Sequence, residues 1–418
     1  MCDMLDRPAA APSAGHLSLP LADLPALTSL RFVAALAVVV LHYRELLGPL
    51  PAWLQQVIVG GQFGVTFFFV LSGFILTYRY RDWFAGGVSR GSYRRFQRFR
   101  WARIYPVYVL GLLLDTPWHL IERAQAGQLS AEAPTLAGSW LVNLAGLQAW
   151  VPVVPYAMFW NTPAWSVAAE FFFYAAFPWL CCALARHGGS AARLAAALIG
   201  TVLGGALLYA AVIWAMNYAW QVAPQTQYLV IVYNPLLRGS EFVAGCVAGQ
   251  LFMRMRDGGR PLLQTERARN ALVVLCLLAI GARIAMAGYS GPNSWLWLLD
   301  GSVKYAAFVL PFVGLILTVA SGRTLLSPLL ERPWVVLLGE ASYSLYIVHW
   351  SVVTVLHLKL LGAWGTPAVH ALLLVATVLL SVVCYRVVEV PWRRRLRGAP
   401  ATDNEARTAA PPLHHAAT

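Results

Sequence analysis

Stretches of about 20 consecutive, mainly apolar residues recur along almost the whole of this 418-residue chain. A stretch of that length crosses the roughly 30 Å hydrocarbon core of a bilayer as an α-helix. Lipid offers no partner to an open backbone N–H or C=O, so a spanning segment must satisfy its own backbone. The expected fold class is therefore an all-α polytopic membrane protein. Composition agrees: 59% of the residues are hydrophobic and 12% are charged, against about 25% charged in a soluble domain.

About ten spans are expected, near 28–47, 61–79, 103–121, 164–185, 194–215, 235–253, 270–288, 303–321, 336–358 and 367–388. The formal net charge of +13 does not point to nucleic acid, because the basic residues sit in short loops between apolar segments. Loops 80–102, 186–193, 254–269 and 322–335 and the stretch after 388 are arginine-rich. The loops between them hold Arg123 and Lys359, with Asp300 and Lys304 at a border. By the positive-inside rule both termini are expected in the cytoplasm. The long connection 122–163, with Trp140, Trp150 and Trp160, is expected to carry a short interfacial helix. The chain then divides into a cytoplasmic N-terminal segment (1–26), a transmembrane domain (27–397) and a disordered cytoplasmic tail (398–418). Residues 1–26 include Asp3 and Asp6, lack an apolar core and do not read as a signal peptide. The six cysteines show no CxxC pair and no metal spacing, so no disulfide framework and no metal site is expected.

Polar residues inside the spans carry the functional signal, since lipid makes them costly. In "RFVAALAVVVLHY" (31–43), Arg31 and His42 are eleven steps apart. At 100° per residue they fall about 20° from one line, with a rise of about 16 Å. Both share one face, and that face must meet the protein interior or a watery cavity. In "FGVTFFFVLSGFILTYRYR", Ser72 and Gly73 interrupt an aromatic run; they fit close helix packing or a slot beside a thin ligand. In "RRFQRFRWARIYPVY", Arg100 and Arg103 are neighbours on a helix, and clustered guanidinium forks suit phosphate. "NTPAWSVAAEFFFYAAFPW" puts Ser166, Glu170 and Tyr174 on one face. "NPLLRGSEFVAG" sets Arg238 and Glu241 at i, i+3, where they can pair with each other or sit level with Glu170. "GEASYSLYIVHW" lines up Ser342, Tyr346 and His349, with His349 level with His42. The expected order is a through-membrane polar path: carboxylates, then the two histidines, then the arginines.

These segments, with the closing "VEVPWRR", occur in an order that resembles the membrane-bound acyltransferase type 3 family, O-acetylating enzymes of surface and secreted carbohydrates. The resemblance covers about 25–395. It implies an acyltransferase that takes an acyl group, acetyl by family preference, from cytoplasmic acyl-CoA. The acceptor is a hydroxyl of a carbohydrate or glycosylated compound, and the location is the bacterial cytoplasmic (inner) membrane. By that resemblance Arg31 and His42 are the catalytic pair; by imidazole chemistry His42 is expected as general base or as transient acyl carrier, with Glu170 expected to orient the imidazole or the acceptor. Arg100, Arg103 and Arg31 hold the coenzyme A phosphates, and Ser72 and Gly73 line the slot for its arm. Trp165, Ser166, Arg238, Glu241, Ser342, Tyr346 and His349 are the acceptor- and thioester-binding candidates. Unlike some relatives, the chain shows no appended hydrolase-like domain. A transporter or flippase of a lipid-linked sugar or small solute is the competing class, although no inverted repeat is evident. A receptor-like or scaffold membrane protein is a further alternative.

Overall fold

The computed structural model describes residues 23–47, 49–258, 263–286, 304–355 and 367–397. The segments 1–22 and 398–418, with Lys359 and Asp300, lie outside the described residues, so the readings made for them end with the sequence. Within the described residues every regular element is helical and there is no strand. Seven helical runs are long and apolar enough to cross a membrane: Pro25–Tyr43, Ala52–Phe84, Arg90–Gln125, Thr162–Arg186, Ala191–Ala219, Glu266–Met286 and Val369–Arg397.

The principal helices are α1 (Pro25–Tyr43), α2 (Gly64–Phe84), α3 (Arg90–Gln125), α4 (Leu129–Leu144), α5 (Trp165–His187), α6 (Ala191–Trp214), α7 (Pro235–Asp257), α8 (Glu266–Met286), α9 (Ala306–Ala320), α10 (Pro333–Glu340), α11 (Ser342–Val355), α12 (Pro367–Cys384) and α13 (Val390–Arg397). The other three expected spans are also helical, for separable reasons. The segment near 235–253 is α7, a full-length helix made more polar by Arg238, Glu241, Arg254 and Arg256. The segment near 303–321 is α9, which is shorter. The segment near 336–358 is α10 and α11, two helices that meet at Ala341. Such a break is tolerated at membrane depth where it faces protein or a cavity.

Helix α3 starts on a capping box between Ser89 and Ser92. Its 36 residues extend about 54 Å at 1.5 Å per residue, well beyond a bilayer core. The N-terminal part of this length carries Arg90, Arg94, Arg95, Arg98 and Arg100. Beyond its other end, the long connection contains the helix α4. Its tryptophans do not all lie at the lipid surface: Trp160 is buried and donates from Nε1 to Ser139 Oγ at 2.7 Å.

The tightest packing joins α2 and α7. A Cβ at Gly73 would run into the Phe242 carbonyl oxygen, and one at Gly245 into the Val70 carbonyl oxygen. Two glycines thus bring the backbones together. Helices α1, α2, α3, α5 and α11 then surround one polar interior, and α13 folds back against α3.

Candidate active site

A cavity of about 100 Å³ lies between α1, α2, α3, α5 and α11. Its polar lining gathers residues from segments far apart in sequence: Arg31 (α1), Ser72 (α2), Arg100 and Arg103 (α3), Ser166, Glu170 and Tyr174 (α5), and Ser342, Tyr343 and Tyr346 (α11). The i, i+4, i+8 stripe of α5 therefore faces inward as a unit, and so do the first two members of the α11 stripe. A larger cavity of about 370 Å³ shares Arg31, Arg100 and Arg103 and opens toward the arginine-rich end. Arg79, Arg393 and Arg397 join its wall, and Asp23, Glu331 and Glu340 are its acidic members.

Hydrogen bonds order the inner cavity. Tyr174 donates from its hydroxyl to Glu170 Oε2 at 2.7 Å. Arg100 donates from Nη2 to the Tyr174 oxygen at 3.1 Å and lies over that ring, 4.5 Å from its centroid. Tyr343 donates to the Ile104 carbonyl at 2.8 Å. Among the described residues neither Arg31 nor Arg103 closes a salt bridge, although Glu389 exerts its field on both. Glu389 accepts from Ser344 Oγ at 3.0 Å and ends a π-helical turn, Tyr385–Glu389, just before α13. Two cavity-lining guanidinium groups without a carboxylate partner make an anion-receptive surface.

The two histidines come together at the far end. His42 Nδ1 and His349 Nε2 are 3.0 Å apart, with ring centroids 5.1 Å apart and ring planes inclined by 27°. The Trp350 edge meets the His42 ring at 5.1 Å. Neither imidazole lines the cavity, which stops at Tyr346. The Tyr346 hydroxyl donates to the Pro163 carbonyl at 3.0 Å and pairs with Ser166 Oγ at 2.8 Å. Its ring tilts against His349, 6.0 Å between centroids.

Several expectations change. Glu170 does not stand beyond the histidines from the arginines. The Ser166–Tyr346 pairing sets the register of α5 against α11 and places Glu170, one turn further on, beside Arg100. Arg238 and Glu241 do not line the cavity. They pair with each other (Nε–Oε1 2.9 Å, Nη2–Oε2 3.0 Å) at 1% exposure each, because Thr66, the Val232 carbonyl and the Tyr305 ring enclose them. Trp165 stacks on Tyr233 at 4.7 Å and is not among the cavity residues. Gly73 serves the α2–α7 crossing, while its neighbour Ser72 faces the cavity. Glu389 and Tyr343 went unread in the sequence, and Arg393 and Arg397 were read only as part of the basic stretch after 388. The signal for Glu389 was a carboxylate at the end of the last apolar run, inside a segment already singled out. Asp115, fully buried in α3 beside Asn161 and Ser351, is another carboxylate passed over in an apolar segment.

Known proteins similar to this chain cover between about a fifth and nine-tenths of it. An acyltransferase MdmB of Streptomyces mycarofaciens is 28% identical over 400 residues, covering 89% of this chain and 92% of that protein. A Staphylococcus aureus protein provisionally named an O-acetyltransferase is 26% identical over 98 residues, 23% of this chain and 16% of its own length. The product called protein 2 in the picA locus of Rhizobium radiobacter is 37% identical over 89 residues, 21% of this chain and 41% of its own length. No solved structure gives a significant match. The model of the acyltransferase 3 family, described as an acyltransferase domain, matches residues 24–386, nearly all of the helical region, and the chain belongs to that family.

Proposed function

We propose that this membrane protein transfers an acetyl group from acetyl-CoA to a hydroxyl of a carbohydrate or glycosylated acceptor. The observation that carries the reading is the pairing of a guanidinium-lined cavity with an imidazole pair one residue layer beyond it. Coenzyme A is a polyanion on a long thin arm. Its phosphates suit the wide cavity with Arg31, Arg100 and Arg103, and its arm suits the narrow cavity beside Ser72. The helical rise of about 16 Å between Arg31 and His42 is the distance the arm must cover. Tyr346 must swing aside for the thioester to meet the imidazole, since its ring closes the cavity.

In the reaction, the acceptor O–H gives its proton to His42 as the oxygen attacks the thioester carbonyl carbon. The C–S bond then breaks, and the departing thiolate takes the proton from the imidazolium. One ester and one free thiol result. Imidazole suits this exchange because its ordinary pKa lies near neutrality. Tyr346, once it leaves the Pro163 carbonyl, is the hydroxyl donor for the oxyanion, and Ser342, about 10 Å before His349 along α11, contacts the arm. Glu170 orders Tyr174 and Arg100 and is not the partner of His42.

On this reading the ten helical segments span the bacterial cytoplasmic membrane with both termini inside. That orientation puts the arginine-lined cavity on the side where acyl-CoA is made. Family membership favours a transferase over the transporter alternative. The test is isotope transfer. Membranes holding the protein should move label from acetyl-CoA to a glycosylated acceptor, and His42→Ala should abolish this while still inserting and purifying. Near-normal turnover by His42→Ala removes the catalytic assignment.

A further inference from the structure

The hydrogens of the imidazole pair can be placed from its neighbours. His349 is fully buried, and its Nδ1 stands 3.2 Å from the Leu345 carbonyl oxygen. A carbonyl oxygen only accepts, so Nδ1 of His349 carries a hydrogen. A neutral imidazole has one N–H, which leaves a lone pair on His349 Nε2. His42 Nδ1 lies 3.0 Å from that lone pair and must be the donor. The hydrogen of His42 is thereby held on Nδ1, and its lone pair on Nε2.

We infer that His349 is a positioning residue that locks His42 in the Nδ1–H tautomer and so makes His42 Nε2 the atom that takes the acceptor's proton. The inference rests on the reading of His42 as the base, and it replaces the substrate-binding role first given to His349. The logic is that of a triad, with a neutral imidazole where a carboxylate usually stands. The Leu345 carbonyl sets His349, and His349 sets His42. An untethered imidazole favours the opposite tautomer, Nε2–H, in which Nε2 has no lone pair to offer. When His42 accepts the hydroxyl proton on Nε2, its Nδ1–H still points at His349 Nε2. That bond becomes charge-assisted and strengthens as the transition state forms.

The test uses the full chain with 15N-labelled histidine, purified in detergent or lipid discs. The chain has nine histidines, and comparison with His42→Asn identifies the His42 signals. In the wild type the His42 Nε2 shift should be that of an unprotonated ring nitrogen and Nδ1 that of an N–H. His349→Leu keeps bulk but removes the acceptor, and should move His42 toward the Nε2–H form. His349→Gln offers an amide oxygen near the old Nε2 position and should retain the native tautomer. In turnover, kcat of His349→Leu should fall about a hundredfold, within the range of about 10²–10⁴ for general-base contributions. KM for acetyl-CoA should stay within about twofold, because uniform binding is untouched, and His349→Gln should regain most of the lost rate. A wild-type spectrum showing Nε2–H on His42 overturns the inference. So does an unchanged His42 tautomer in His349→Leu, even if activity falls, since the loss would then be packing alone. If His42→Ala turns over normally, the base itself is lost and His349 has no reaction to position. The spectra are read without turnover, so the two failures are distinguishable.

Discussion

Removing the carboxylate of Glu241 tests whether the Arg238–Glu241 pair is architecture or substrate contact. Both side chains are 1% exposed, and the guanidinium meets the carboxylate through Nε at 2.9 Å and Nη2 at 3.0 Å. Glu241→Ala deletes two charge-assisted hydrogen bonds, each about 1.5–3 kcal/mol, for a loss of about 3–6 kcal/mol. That brackets the roughly 3–5 kcal/mol observed when a buried pair loses one partner. Arg238 would keep the Val232 carbonyl, the Thr66 hydroxyl and the Tyr305 ring, none of which carries a negative charge. Replacing both residues, Arg238→Leu with Glu241→Leu, removes the buried charge together with its partner. The double variant should recover at least half the loss, because an apolar pair of similar volume often matches a buried ion pair in stability. The assay is thermal unfolding in detergent followed by size-exclusion fluorescence. Glu241→Ala should fall on the order of 10 °C, and the double variant should sit between it and the wild type. Two results refute the argument: additive losses in the double variant, or an unchanged midpoint in Glu241→Ala accompanied by a raised KM for the acceptor.

Other expectations follow from the cavity. Arg100→Ala combined with Arg103→Ala should raise KM for acetyl-CoA by about tenfold or more, one charge-assisted contact being about 1.5–3 kcal/mol, and leave acceptor KM nearly unchanged; equal effects on both would indicate a role in topology. Arg397→Glu should raise KM for acetyl-CoA, because Arg397 lines the wall of the wider cavity and the change reverses a charge there; an unchanged KM contradicts a place on the donor's path. Ser72→Leu should fill the narrow cavity and lower acetyl transfer with thermal stability retained, as judged by melting and labelled-acetate transfer; full activity would mean that the arm takes another route. Gly245→Val should prevent the α2–α7 approach and cost several kcal/mol, seen as loss of a monodisperse peak, since the added carbon would meet backbone at Val70.

Much of the site was readable one helix at a time. The spacing of Ser166, Glu170 and Tyr174 put them on one face, and they do share one cavity. Arg31, Arg100 and Arg103 likewise meet as expected. His42 and His349 were read as level, and they touch. What periodicity could not supply was the register between helices. A stripe shows which residues share a face but not which neighbour the face meets. Glu170 was therefore set on the wrong side of the histidines until the Ser166–Tyr346 hydrogen bond fixed α5 against α11. Arg238 and Glu241 left two readings open, self-pairing or substrate contact, and only the enclosing Thr66 and Tyr305 side chains decide for the first. Glu389 was hidden differently: a π-helical turn near the end of the last run presents it to α3 and α11, and no simple 100° step reports that.

By itself the amino-acid sequence determined that this chain lives in lipid as helices and that its costly polar residues fall on stripes. Both are consequences of local covalent geometry and of the price of an unsatisfied polar group in hydrocarbon. Tertiary structure alone decided which stripes meet, which guanidinium groups keep an open cavity instead of a carboxylate, and where Tyr346 divides that cavity from the imidazole pair. Those choices depend on helix-to-helix register, set by contacts between residues as far apart as His42 and His349, which no local pattern encodes.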